Sequence, residues 1–186
     1  MTNDEKLQWV KKRKPKTDFV IFGKRESGLR LLTVALGRHA EVSIDSLGLD
    51  GDGGRWIYGQ GDVYSRVVAY DNYEQLFEKM PPRVVHLIRD PRENAIEILS
   101  IKDGGEPTEK QITLLAHTIS REQRNFRGKL SGYTDTEVFE LNYKDLIEMT
   151  PWTNELLTDF LFIRFNRLKI RRTLNGKPIN DSPGLR

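Results

Sequence analysis

The chain reads as an α/β protein, a three-layer α/β/α arrangement with a mainly parallel central sheet. Two observations predict this class. The runs 19–22 and 84–88 are of strand length and, but for His86, apolar without alternation, as strands buried on both faces are. From residue 18 to about 102 such runs alternate with segments of helical spacing, the pattern that places helices on both faces of a parallel sheet. A length of 186 residues suits one domain with a substantial interior.

Composition narrows the classes further. The net charge of +3 is mildly basic, compatible with an anionic ligand. With no cysteine, neither a disulfide framework nor a thiolate zinc site can form. The first residues are polar and no apolar run approaches ~18 residues, so the expectation is a chain without signal peptide or membrane span, in the cytoplasm.

Taken in order, residues 1–17 form a basic leader around Lys6, Lys11, Lys12, Arg13, Lys14 and Lys16. Without interleaved aromatics for stacking, a solvated arm is expected there rather than a nucleic-acid-binding one. A domain spanning 18–165 follows. Its first strand, 19–22, runs through the turn Gly23 to Gly28 into a helix whose Leu31, Leu32, Ala35 and Leu36 share a face and which Gly37 stops. Residues 40–47 are expected as a second strand, with Val42 and Ile44 on one side. The glycine-rich stretch 48–62 is expected as a loop; its acidic residues lack the order and closing Glu of a calcium-binding EF-hand.

Residues 63–70 read as a strand and 73–79 as a short helix ended by Pro81 and Pro82. Strand 84–88 ends at Arg89, and Pro91 opens a helix that buries Ala95, Ile98 and Leu99 before Gly104, Gly105 and Pro107 break it. Thr108 then caps a longer helix with Ile112, Leu115, Ala116, Ile119 and Phe126 on one face. Arg121, Arg124, Arg127 and Lys129 line its end and complement the helix dipole. The last strand, 138–141, ends at Tyr143. Thr150 and Pro151 start a final helix with Trp152, Leu156, Leu157, Phe160 and Leu161 as its expected buried stripe. Residues 166–186 form a basic loop or tail, in which Gly176, Pro178, Pro183 and Gly184 are expected to prevent regular structure.

Two stretches carry chemistry. Gly23 and Gly28 have the glycine spacing of a Walker A loop, but Leu29 and Arg30 stand where a nucleoside triphosphatase has Lys and Ser or Thr, so the usual Mg2+ ligand is missing. Such a loop at a helix N-terminus still suits an anion, because unpaired N–H groups and the positive end of the dipole face it. The second stretch places Arg89 at the carboxyl end of a strand, where open α/β sheets bind ligands. Together they suggest a ligand with two separated anionic groups. His39, His86 and His117 read as structural. No pair has metal-ligand spacing, and no Ser/His/Asp order suggests a hydrolase.

The segment Arg25-Glu-Ser-Gly-Leu-Arg-Leu-Leu32, the segment Arg83-Val-Val-His-Leu-Ile-Arg-Asp-Pro-Arg-Glu-Asn94 and the later Leu141-Asn-Tyr-Lys-Asp-Leu-Ile147 together resemble the sulfotransferase family that uses 3′-phosphoadenosine 5′-phosphosulfate (PAPS). The resemblance implies a P-loop sulfotransferase-like fold over about 18–165. It also implies PAPS as co-substrate, no metal, and a carbohydrate, lipid or small-molecule acceptor. Residues Arg25, Glu26, Ser27, Gly28, Leu29 and Arg30 would form the 5′-phosphosulfate loop, with Lys24 or Arg25 supplying catalytic positive charge. Arg89 would clamp the 3′-phosphate, Tyr143 would lie near the adenine, and Arg171 and Arg172 would close the site. Asp45, Asp50 and Asp52 are candidates for the base that deprotonates the acceptor.

The sequence also departs from that pattern. Glu26 replaces the basic residue before Ser-Gly, Leu29 and Arg30 replace a Thr-Thr pair, and Glu97 stands where a serine is usual. Two further readings follow: a catalytically silent nucleotide- or anion-binding module on the same fold, and a P-loop nucleotide kinase. Nucleic-acid binding ranks below both.

Overall fold

A computed structural model describes residues 18–37, 54–58, 64–69, 77, 82–103, 105–161, 173–174 and 177–178. Their elements are strand β1 (Asp18–Gly23), helix α1 (Leu29–Gly37), β2 (Gly54–Tyr58), β3 (Tyr64–Ala69), β4 (Arg83–Ile88), α2 (Pro91–Asp103), α3 (Glu109–Leu130), β5 (Glu137–Asn142), α4 (Tyr143–Glu148), α5 (Pro151–Phe160), β6 (Thr173–Leu174) and β7 (Lys177–Pro178). The expected leader, the 40–47 strand, Asp45, Asp50, Asp52, His39, Arg171 and Arg172 lie outside the described residues. So does the expected 73–79 helix except Phe77, which is helical.

Five strands form one sheet in the order β2-β3-β1-β4-β5. Strand β1 pairs in parallel with β3 on one side and β4 on the other, from Gly23↔Ala69 and Gly23↔Leu87 backward, and β4 pairs in parallel with β5. Continuous apolarity in β1 has its cause here: Phe19, Val20, Ile21 and Phe22 are all buried, successive residues pointing to opposite faces. On one face Phe19, Ile21, Val85, Leu87 and Leu141 pack against Leu32 and Leu36 of α1, Leu146 of α4 and Leu157 of α5. On the other, Val20, Phe22 and Val84 meet Phe126 and Leu130 of α3, with the Phe22 and Phe126 rings stacked at 3.5 Å. A third cluster, Ala95, Ile112 and Ile119, joins α2 to α3. The three layers therefore follow from strand alternation with a helix stripe on each side.

Helix starts obey local chemistry. Asp90 Oδ1 accepts from the backbone N–H groups of Arg92 and Glu93 at 2.9 and 3.0 Å, capping α2 while Pro91 takes the first helical position. Thr108 and Gln111 form a reciprocal capping box at α3. Thr108→Ala is expected to cost about 1 kcal/mol, lowering the thermal midpoint by roughly 2–4 °C; an unchanged melting curve would count against the cap. Bidentate Arg92–Glu109 bonds of 2.6 and 2.8 Å join the two helix starts and hold the Glu109 carboxyl below its ordinary range.

Three expectations are corrected. Residues 54–58 of the expected glycine-rich loop form β2, antiparallel to β3 from Gly54↔Val68 to Tyr58↔Tyr64. Trp56, Ile57 and Tyr58 are strand formers, and pairing with β3 outweighs the surrounding glycines. In α5 the stripe is turned: Trp152 is 67% and Leu156 39% exposed, while Asn154, Leu157 and Leu161 are buried. Positions 154, 157 and 161 lie three and four residues apart on one face, whereas 152 and 156 lie on the adjacent stripe. In the expected irregular tail, Thr173↔Pro178 and Leu174↔Lys177 form a short antiparallel pair.

Candidate functional site

The carboxyl ends of β1 and β4 lie side by side, and the chain leaves them in opposite directions. From β1 it enters α1 on one face; from β4 it enters α2 and α3 on the other. Strand ends where the chain diverges in this way are the usual ligand position in parallel sheets.

The 24–28 loop forms one wall. Glu26 has φ of 60° and Gly28 of 102°. The left-handed region costs an ordinary residue on the order of 1–2 kcal/mol, so Glu26 is held there by something. Two side chains do it, one just past β4 and one from the first turn of α2: Arg89 Nη1 donates to the Glu26 carbonyl at 2.8 Å and Asn94 Nδ2 donates to the Arg25 carbonyl at 2.9 Å. Gly28 is needed for space as well as for φ. A Cβ there would lie 2.5 Å from Leu146 and 3.1 Å from the Tyr143 ring. Helix α4 thus closes directly over the loop.

Ser27 is buried and donates its hydroxyl proton to the Lys24 carbonyl, which also accepts from the Ser27 backbone N–H at 3.1 Å. Its side chain shapes the turn before any ligand is considered. The Lys24 ammonium reaches Glu122 of α3 at 2.7 Å. Glu26 is buried within the loop, Arg25 is exposed beside it, and Arg30 is half-buried in the first turn of α1.

Arg89 is the junction of the site. Besides the Glu26 carbonyl, its guanidinium lies 4.2 Å from the centre of the Tyr143 ring, and it faces Glu93 at 3.9 Å and Glu97 at 3.6 Å. Gln123 of α3 donates to the Arg89 carbonyl at 3.2 Å. The structure therefore brings together Lys24, Arg25, Glu26, Ser27, Gly28, Leu29, Arg30, Arg89, Glu97 and Tyr143. Arg127, at the end of α3, bonds Glu140 of β5 through two N–H groups at 2.6 and 2.9 Å.

Sequence reasoning missed Asn94, Glu122, Gln123 and Glu93. Asn94 had a legible signal: an amide beside Ala95 in the first turn after a strand end is well placed to be buried, and it is fully so. Lys24 and Glu122 are 98 residues apart, and only the packing of α3 on the sheet makes them neighbours. No protein-family model matches the sequence, and no curated protein matches it either. Fold and site define the class no further than an α/β protein with a glycine loop and an arginine at adjacent strand ends. Among the described residues no helix is long and apolar enough to cross a membrane.

Proposed function

We propose that the chain binds an adenosine 5′-phosphosulfate nucleotide across the carboxyl ends of β1 and β4 and transfers its sulfuryl group to a hydroxyl or amine acceptor. The motif resemblance implies PAPS as the donor form. The observation that carries the reading is the pinning of two successive loop carbonyls, at 25 and 26, by Asn94 and Arg89. Carbonyls drawn toward β4 leave the turn leading into α1 preorganised, at a helix start whose dipole favours an anion. In the proposed reaction the acceptor oxygen or nitrogen attacks sulfur in line. The bond from sulfur to the bridging oxygen breaks, the nucleotide leaves with that oxygen's charge, and the acceptor proton passes to a base. Loop amides and a cation near the bridging oxygen stabilise the charge that builds there.

A second reading is favoured by a specific observation. Lys24 and Arg89 both face carboxylates, and Glu26 is buried in the loop itself. That arrangement suits a module that holds a nucleotide without turning it over. Calorimetric titration with the product nucleotides 3′-phosphoadenosine 5′-phosphate and AMP, beside ATP with Mg2+, separates the readings when joined to a sulfate-transfer assay on a broad acceptor panel. Binding of a product nucleotide without metal, together with transfer, supports the enzyme; binding alone supports the silent module. Binding of ATP with Mg2+ only would shift the reading to a kinase, and no binding would end both nucleotide readings.

A further inference from the structure

The sequence suggests a ligand anchored by two separated anionic groups, one at the glycine loop and one at Arg89. The charges around Arg89 point elsewhere. Glu93 and Glu97 lie one helical turn apart on the same face of α2, and both reach back to the one guanidinium, at 3.9 and 3.6 Å. Like charges at that spacing disfavour a helix unless a cation stands between them. Arg89 does so with its own side chain only 13% exposed, while Glu93 and Glu97 remain 67% and 48% exposed and so open to a ligand. Around this guanidinium two carboxylates stand against one positive charge. The guanidinium is further committed to the Glu26 carbonyl and to the Tyr143 ring. Lys24 is turned to Glu122 of α3.

We propose that Glu97 is a specificity residue that accepts a hydrogen bond from a ribose hydroxyl, so that the donor is an adenosine 5′-phosphosulfate with a free 3′-hydroxyl rather than a 3′-phosphate. This rests on the nucleotide reading above and deepens it. A carboxylate is acceptor-only and takes an O–H donor in a charge-assisted bond, whereas a phosphate monoester, carrying close to two negative charges, is repelled by it. Nucleotide-binding folds make the same choice at the ribose elsewhere, an acidic residue taking a free hydroxyl and an arginine a phosphate. Transfer from such a donor forms the acceptor–sulfur bond, breaks the bond from sulfur to the bridging oxygen, and releases AMP.

The test is calorimetric titration of the full chain with AMP and with 3′-phosphoadenosine 5′-phosphate, on wild type and on Glu97→Ser and Glu97→Gln. Wild type is expected to bind AMP at least about tenfold tighter, a preference of about 1.4 kcal/mol. Glu97→Ser is expected to tighten 3′-phosphoadenosine 5′-phosphate by about tenfold without a matching gain for AMP, with Glu97→Gln intermediate. A carboxylate that only tuned stability would leave the ratio of the two affinities unmoved. A wild type that prefers the 3′-phosphorylated nucleotide, or a ratio unchanged in both variants, overturns the proposal and leaves the nucleotide reading standing. Failure of wild type to bind either nucleotide overturns both. Glu97 is half-exposed on a helix surface, so both variants are expected to fold, and a circular dichroism melt checks that.

Discussion

Arg89→Ala is expected to destabilise the fold by about 2–4 kcal/mol, a fall in thermal midpoint of roughly 5–12 °C, and to abolish measurable nucleotide binding. The magnitude is set by the mostly buried contacts rather than by the ion pairs. Glu93 and Glu97 are each about half or more exposed and can return to water, so losing them contributes on the order of 1 kcal/mol or less. The Glu26 carbonyl is different, since it belongs to a residue at φ 60° that the guanidinium holds in place. Losing a charged donor at such a carbonyl costs about 1.5–3 kcal/mol, and losing the stack on Tyr143 about 1 more. Arg89→Lys separates charge from geometry. An ammonium can replace the charge but cannot face a carbonyl, a ring and a carboxylate with a planar fork, so it should recover less than half of the loss. Equal stability of the alanine and wild-type proteins in urea melts would mean that the loop holds its own shape.

How much of this was legible in the sequence depends on how local each cause is. Strands β1 and β4 are written in their own residues, because burial on both faces leaves no room for polar alternation. The starts of α2, α3 and α5 are equally local: Asp90 with Pro91, Thr108 with Gln111, and Thr150 with Pro151 each act within four residues. Strand β2 was not legible because its pairing with β3 is a tertiary cause and glycines surround it in sequence. The α5 stripe was misread for a related reason. Two adjacent apolar stripes satisfy the same periodicity, and the sheet decides which one it covers. Asn175-Gly176, between the two strand runs 173–174 and 177–178, is a hairpin signal in the sequence, with Pro178 and Pro183 nearby as opposing signals.

At the site the sequence pointed to the loop and Arg89 but not to the carboxylates that Arg89 faces. A charge at a strand end reads as an invitation to an anion; whether carboxylates already stand there depends on helix phase. Glu93 and Glu97, four and eight residues on, return to the same side once α2 is a helix from Pro91. That spacing was available in the sequence, and it places two carboxylates beside the arginine; on that mixed-charge cluster the hydroxyl proposal rests.

His86 is expected to make the fold acid-sensitive well above the range where carboxylates titrate. The ring is fully buried on the α3 side of the sheet, 5.8 Å from Phe22 and 4.9 Å from Phe126 between ring centres. Burial pushes its pKa from 6.5 down to about 4, and the nearby charge of Arg127 pushes the same way; the attraction and hydrogen bond of Glu140 oppose them and do not win. At neutral pH the ring is therefore uncharged, and its 3.3 Å contact with Glu140 is a hydrogen bond from Nδ1–H to a carboxylate. Burial acts to raise the pKa of Glu140 too, but the hydrogen bonds and charge of Arg127 hold it below its ordinary value. Between pH 6.5 and about 4 the unfolded chain takes up a proton that the folded chain refuses. Stability contributed by neutral His86 is thus complete above pH 6.5 and is lost as pH falls through that window, by on the order of 3 kcal/mol. Glu140 and Glu109, whose values are lowered, contribute stability that is lost only as pH falls below about 4.5. The interval from pH 6.5 to 5 accordingly isolates the histidine. His86→Phe places a third ring beside Phe22 and Phe126, leaves the Arg127–Glu140 bonds in place, and removes the titrating group. Urea melts between pH 5 and 7 should show stability falling with acid in wild type and nearly level in the variant. Parallel slopes would assign the acid sensitivity to other groups.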